Sequence, residues 1–202
     1  MNELTSAHNA KYKRWLSLLD SKGIKKEDCA IVSGAKLTRE FVRSWPDEVE
    51  DILFPPKAQD DFPETFRKTL LSSPLFKDLD VLGTRSPLLV VKTRPIPVWK
   101  SEPPKGLELI VGLGDPSNLG ALLRSAEALG ASRVILTRES ASPFLPKSLK
   151  ASANSAFRLP LAAGPSLKDL DLPLAYGLDM DGEDLSEFKW PENAHLVLGE
   201  EG

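Results

Sequence analysis

Apolar positions along the first half of the chain follow two rhythms. Tyr12, Trp15, Leu16, Leu18 and Leu19 recur at helical spacing, behind Thr5 and Ser6, either of which can cap a helix. That spacing predicts a helix ending near Gly23. Short apolar runs of strand length follow: CAIVSG (29–34), VEDILF (49–54), which ends at Pro55-Pro56, and LLVVKT (88–93). Between them, 35–45 reads as a helix stopped by Pro46, and 62–71 as another helix. The alternation of strand and helix predicts a small α/β sandwich.

The second half has a cleaner rhythm. Strands are predicted at 107–113, 133–137, 157–162, 174–180 and 195–199, and helices at 119–129, 146–153 and 166–170, with Gly130 just past the end of the first of these. Continuous apolar strands alternating with helices predict a parallel sheet buried on both faces. Such sheets bind ligands beyond the carboxyl ends of their strands, where GLGDPSN, GLDMDG and GEEG fall. RPIPVWKSEPPKG (94–106) holds four prolines in 13 residues and predicts an extended linker. The expected organisation is therefore a domain over 1–93, the linker, and a second domain over 107–202.

Composition narrows the class. Hydrophobic content of 41% and charged content of 27% are ordinary for a globular protein. No apolar run approaches the ~20 residues a membrane span needs, and the N-terminus lacks a signal core, so the expected location is cytoplasmic, with no membrane partner. A single cysteine, Cys29, and two histidines, His8 and His195, argue against a metal site. Residues 1–105 hold 18 Lys+Arg against 15 Asp+Glu, a balance of +3, and residues 106–202 hold 8 against 14, a balance of −6. A basic first half suits a module that meets a polyanion.

Candidate chemistry centres on DPSNLGALLRSAEALG (115–130). A dinucleotide fingerprint fails, because after Gly112 and Gly114 the next glycine is Gly120, three residues late. A phosphate loop fails too: Gly114 to Gly120 is one residue too long, and leucine follows where lysine belongs. In the helix, Leu119, Leu122, Leu123, Ala126 and Leu129 form an apolar stripe. Gly120, Ala121, Arg124 and Ala128 form an adjacent strip of small residues that lets another backbone come close. Arg124 is either a surface charge or a guanidinium that meets a phosphate or a reacting hydroxyl. Asn118 either caps the helix or aims its amide into the crevice.

In register, Asp115, Pro116, Asn118, Gly120, Ala121, Arg124, Ala126, Ala128 and Gly130 resemble the first motif of the SpoU (TrmH-like) branch of the SPOUT methyltransferases. LVLGEEG (196–202) resembles the start of the second motif, through Gly199 and Glu201. SLKASANSAFRLPLA (148–162) is similar to an intervening segment, with Asn154 or Ser155 where the family has glycine. In the first half, LTSAHNAKYKRWLSLL, VSGAKLTREFV and LGTRSPLLVV resemble the L30e-like substrate-binding domain often fused to these enzymes, with Ser33 in place of a common glutamate.

The resemblance implies an L30e-like α/β sandwich followed by a parallel-sheet SPOUT (trefoil-knot) domain. It also implies an RNA 2′-O-methyltransferase that uses S-adenosylmethionine on ribosomal or transfer RNA and dimerises through its second domain. Arg124 would deprotonate or polarise the ribose hydroxyl, with Asn118 and Glu201 organising it. Leu178, Leu198 and Gly199 would line the adenosine pocket, and Lys11, Lys13, Arg14, Lys22, Lys25 and Lys26 would grip RNA phosphates. The family continues past the position of Gly202 into a third, Ser/Asn-containing motif that threads the knot and closes the cofactor pocket. The 202-residue chain, which lacks it, is therefore expected to bind S-adenosylmethionine poorly and to be inactive alone. The alternative reading is an RNA-binding protein of the same fold without catalysis. A generic α/β nucleotide-binding enzyme is disfavoured by the glycine spacings.

Overall fold

Two five-stranded sheets are built from residues 2–172, 175–178 and 180–199, which are the residues the computed structural model describes. The first half contains β1 (Asn2–Leu4), α1 (Ala10–Ser17), α2 (Ser21–Glu27), β2 (Cys29–Val32), α3 (Ala35–Ser44), β3 (Val49–Phe54), β4 (Lys68–Leu71), α4 (Ser73–Leu79) and β5 (Leu88–Lys92). Its strands lie in the order β1-β4-β3-β5-β2. β1, β4 and β3 are parallel, and β5 runs antiparallel to both β3 and β2.

Period-two alternation divides the side chains between two cores. Ala30, Val32, Ile52, Phe54, Leu89 and Val91 face the second half of the chain. Cys29, Ile31, Leu53, Leu88 and Val90 face α1 and α4, against Tyr12, Trp15 and Leu79.

Three expectations for this half are corrected. The first helix is capped by Asn9, not Thr5 or Ser6, and it stops at Ser17; Asp20 then caps a separate α2. Gly23 does not end a helix but sits inside α2, where a side chain would strike the Ser17 carbonyl oxygen at 1.8 Å. The helix read over 62–71 is a turn followed by strand β4, held on both sides by β1 and β3. β1 and α4, which the pattern did not reveal, complete the layer.

The second half contains β6 (Leu107–Gly112), α5 (Pro116–Ala128), β7 (Arg133–Leu136), α6 (Pro146–Ser152), β8 (Leu161–Ala163), β9 (Ala175–Gly177) and β10 (Ala194–Gly199). The order is β8-β7-β6-β10-β9, and every pairing is parallel, as the continuous apolar runs predict. The strand read at 157–162 starts later, after a 3₁₀ turn at Ser155–Phe157, and the helix read at 166–170 is one 3₁₀ turn, Leu167–Asp169. β7 and β8 extend the sheet one way from β6, and β10 and β9 the other. The crevice for a ligand in such a sheet opens where that direction reverses, at the carboxyl ends of β6 and β10.

The halves share one apolar core. Phe157 stacks edge-on to Phe41 of α3, with centroids 4.9 Å apart, and also meets Trp45 and Phe144. Asn154 donates from its side-chain amide to the Leu37 carbonyl across the junction. The proline-rich stretch does not hang free. Val98 bridges Ala163 in parallel, and buried Trp99 meets His195 edge-on at 5.4 Å. At the amino ends of the strands, buried Glu108 accepts from Arg133 at 2.9 Å and lies 3.2 Å from His195. That cluster ties the sheet together at the end opposite the crevice.

Candidate functional site

β6 ends at Gly112, and soon after it Asp115 caps α5 by accepting from the Ser117 and Asn118 N–H groups, both at 2.8 Å. Pro116 takes the first helical position, where it forfeits no hydrogen bond. The cap is therefore Asp115, and the Asn118 side chain stays exposed at the rim of the crevice. α5 begins three residues before the predicted start.

Leu119, Leu123 and Ala126 bury themselves as the stripe predicts, but Leu129 is 83% exposed. The backbone admitted by Gly120 is that of α6: a Cβ at Gly120 would lie 2.5 Å from the Ser148 carbonyl oxygen. The outer face of α5 carries Asn118, Ala121, Arg124, Ser125 and Ala128, all exposed.

Arg124 makes no ion pair or hydrogen bond with any described residue. Its acidic neighbour one turn on, Glu127, is already engaged by Arg158 and Ser155. The Arg158 guanidinium, followed by the Ser155 hydroxyl, holds the Glu127 carboxyl below its ordinary range. α5 thus presents an uncompensated cation roughly 9 Å along its axis from Asn118.

The end of β10 lies beside this segment, with Gly199 paired to Gly112 and Leu198 to Val111. Leu178 follows β9, whose Gly177 is level with Val197. Leu198 is half-buried, Gly199 is exposed, and Leu178 is 63% exposed. Positions where side chains would grow from Gly177 and Gly199 meet nothing within 4 Å among the described residues. Glu201 lies outside the described residues.

The six basic residues of the first two helices divide. Lys11, Lys13, Lys22, Lys25 and Lys26 are exposed, Lys26 lying 3.6 Å from Glu27. Arg14 departs from the expected grip. It donates to Glu27 at 2.9 Å and Glu50 at 2.8 Å, and also to the Cys29 sulfur, so its charge is matched locally. Burial pushes the Cys29 thiol up to about 11. Three further cations, Lys36, Arg39 and Arg43, were not expected from the sequence; they line the exposed side of α3 beside Phe62 and Phe66. Their spacing of three and four residues was the available signal. Among the described residues no group of three or more His, Cys, Asp or Glu could hold a metal, and no helix is long and apolar enough to cross a membrane.

Comparison with known proteins adds four findings. The SpoU rRNA Methylase family matches residues 108–202. Over 207 aligned residues the chain is 38% identical to the ribosomal RNA small subunit methyltransferase G 2 of Syntrophobacter fumaroxidans, covering 99% of this chain and 41% of that protein. It is 28% identical to the 23S rRNA (guanosine(2553)-2'-O)-methyltransferase RlmP of Bacillus subtilis, covering all of this chain and 84% of that protein. The chain thus spans less than half of the first relative and most of the second. Among solved structures, the SpoU methyltransferase AviRb from Streptomyces viridochromogenes, in complex with AdoMet, superposes with a TM-score of 0.73. The identity is 24%, and the match covers 96% of this chain and 82% of that one.

Proposed function

Through residues 108–202 the chain belongs to the SpoU rRNA methylase family, and on that premise we propose that it serves methyl transfer from S-adenosylmethionine to a ribose 2′-hydroxyl of RNA. The observation that carries this reading is Arg124: a guanidinium without a counter-charge among the described residues, on the exposed face of α5, the helix that follows the carboxyl end of β6. An exposed cation with no partner among the described residues is free to meet negative charge.

Residues at the strand ends suit the cofactor. Among the described residues nothing fills the space beside Gly177 and Gly199, which leaves room for a ligand against the backbone, where Leu178, Leu198 and Gly199 would hold the adenosine. When bound, S-adenosylmethionine supplies an electrophilic methyl group on a positively charged sulfur. A ribose hydroxyl is a poor nucleophile near neutral pH. A guanidinium offers donors and no acceptor, so the natural role of Arg124 is to donate hydrogen bonds to the oxygen as negative charge develops on it. Asn118 positions the ribose at the rim, and Glu201 is assigned the partner role toward Arg124. Lys11, Lys13, Lys22, Lys25 and Lys26 offer charge to RNA phosphates, with Arg14 supporting their helices through Glu27 and Glu50. The exposed face of α5, with Ala121, Ser125, Ala128 and Leu129, is the surface through which a second copy would pack.

Mapping 2′-O-methylation across ribosomal and transfer RNA from cells with and without the gene tests the reading. One ribose should lose its methyl group in the deletion strain and regain it with the wild-type gene. Arg124→Ala should fail to restore it at unchanged protein level, because an exposed side chain contributes within about 0.5 kcal/mol to stability. Unchanged methylation everywhere, or full restoration by the variant, would overturn the assignment.

A further inference from the structure

Within four residues of Arg124 in either direction, α5 carries one acidic side chain, Glu127. Residues three apart on a helix are surface neighbours, and opposite charges at that spacing attract. Left to itself, α5 would pair Glu127 with Arg124 and neutralise the cation within its own helix. The structure prevents this from outside α5. Arg158, just before β8, closes on the Glu127 carboxylate with two donors: Nε meets Oε1, and Nη2 donates to Oε2 at 2.9 Å. The Ser155 hydroxyl lies 2.5 Å from Oε2 as well. A forked guanidinium contact of this kind is stronger and more directional than a single ion pair on an exposed helix face. Both oxygens of Glu127 are thus engaged elsewhere.

Arg158 is held in turn by the first half of the chain. Its guanidinium carbon lies 5.9 Å from the centre of the Trp45 ring, just past α3, and its Nη1 is 3.9 Å from Glu40 of α3. Its Nη2 also donates to the Ala153 carbonyl at 3.0 Å. The residue before it, Phe157, is fixed against Phe41 and Trp45. A continuous chain of contacts therefore runs from α3 through Arg158 to Glu127, and ends one helical turn from Arg124.

We propose that Arg158 is a positioning residue for the Arg124 site: by claiming the Glu127 carboxylate, it leaves Arg124 without a counter-charge and available to RNA. Because Arg158 rests on Trp45 and Glu40, the seating of the first half on the second governs whether Arg124 is free. The RNA-facing role of Arg124 rests on the methyltransferase reading. The exclusion of Glu127 from Arg124 does not.

Two measurements on the full chain separate these parts. The first needs neither RNA nor cofactor. Carbon-13 NMR follows the Glu127 carboxyl through a pH titration, its signal identified by its loss in Glu127→Gln. In the wild-type protein Arg124→Ala should hardly move the midpoint, because Arg124 is not the partner. In Arg158→Gln the freed carboxylate turns to Arg124, so the same Arg124→Ala should raise the midpoint. Equal responses in the two backgrounds would overturn the proposal. The second is fluorescence anisotropy with a short labelled single-stranded RNA. Arg158→Gln should weaken binding by about 1.4- to 2.3-fold, the factor that an ion pair at this helical spacing is worth. Arg158→Gln/Glu127→Gln should restore it, although it lacks the bridge just as completely. A loss that persists in this double variant would show that Arg158 only ties elements together, and would overturn the proposal. The loss should also vanish when Arg124 is replaced by alanine. A general effect of net charge would persist there and would likewise overturn it. If the titration behaves as expected but Arg124→Ala alone leaves RNA binding unchanged, the positioning by Arg158 is upheld and the methyltransferase reading of Arg124 fails.

Discussion

Asp51 shows how one residue can set a pH response. It is buried in β3, where the Thr69 hydroxyl donates to it at 3.0 Å. Burial pushes its carboxyl up to about 6, and the Thr69 hydrogen bond and the Lys11 and Arg67 charges only partly oppose this. Between the ordinary value near 4 and about 6, the folded chain holds more protons than the unfolded one. This carboxyl's contribution to stability is therefore present below that window and lost as pH rises through it. Asp51→Asn should flatten the decline and raise stability at pH 7.5 by roughly 1–2 kcal/mol. Urea unfolding of both proteins at pH 5 and pH 7.5 checks it; equal pH responses would mean the carboxyl titrates normally. Arg14 illustrates what one residue's neighbourhood hides from the sequence. It stands among lysines in the chain, yet Glu27 and Glu50, which match its charge, come from α2 and β3 and could not be seen from spacing.

At the scale of elements, α5 and α6 depend on Gly120. Gly120→Ala places a carbon 2.5 Å from the Ser148 carbonyl oxygen and 2.7 Å from the Ala151 Cβ. The first of these is backbone, so α6 as a whole has to shift. Helix propensity favours alanine by about 1 kcal/mol, but overpacking of this kind costs about 1–3 kcal/mol. The expected result is a lower melting temperature by circular dichroism; an unchanged one would show that α6 has room to move. Elements with one dominant rhythm were legible: β2, β3, α3, β5 to β7 and α5 fall within a few residues of their predicted bounds. β4 was misread because Phe62, Phe66 and Leu70 recur at helical spacing. The pairing of β4 with β1 and β3 overrides that local signal. Of the candidate site, the helix that carries Arg124 and Asn118 was legible, and both side chains are exposed on it. The capping role of Asp115 was not, because Asn118 is equally suited to it by residue type.

Across the whole molecule the two sheets share a core, and Phe157 sits at its junction against Phe41, Trp45 and Phe144. Removing that ring should destabilise both halves together. Phe157→Ala is expected to lose about 3–5 kcal/mol. Amide hydrogen exchange should quicken at Val90 in the first sheet as well as at Val111 in the second. Faster exchange confined to Val111 would show that the halves open independently.

The proline-rich stretch joining the halves has a consequence for the protein's behaviour at high concentration. An uncovered outer strand offers its free amides to any chain that can lie alongside it. β8 is such a strand, and the stretch occupies its outer side: the Trp99 N–H donates to the Ala163 carbonyl, and the Ala163 N–H to that of Pro97. Pro95 and Pro97 have no N–H to offer onward, so the added rung is a poor template for another. The segment that connects the two sheets thereby also closes the β8 edge of the second one, and guards that edge against edge-to-edge aggregation.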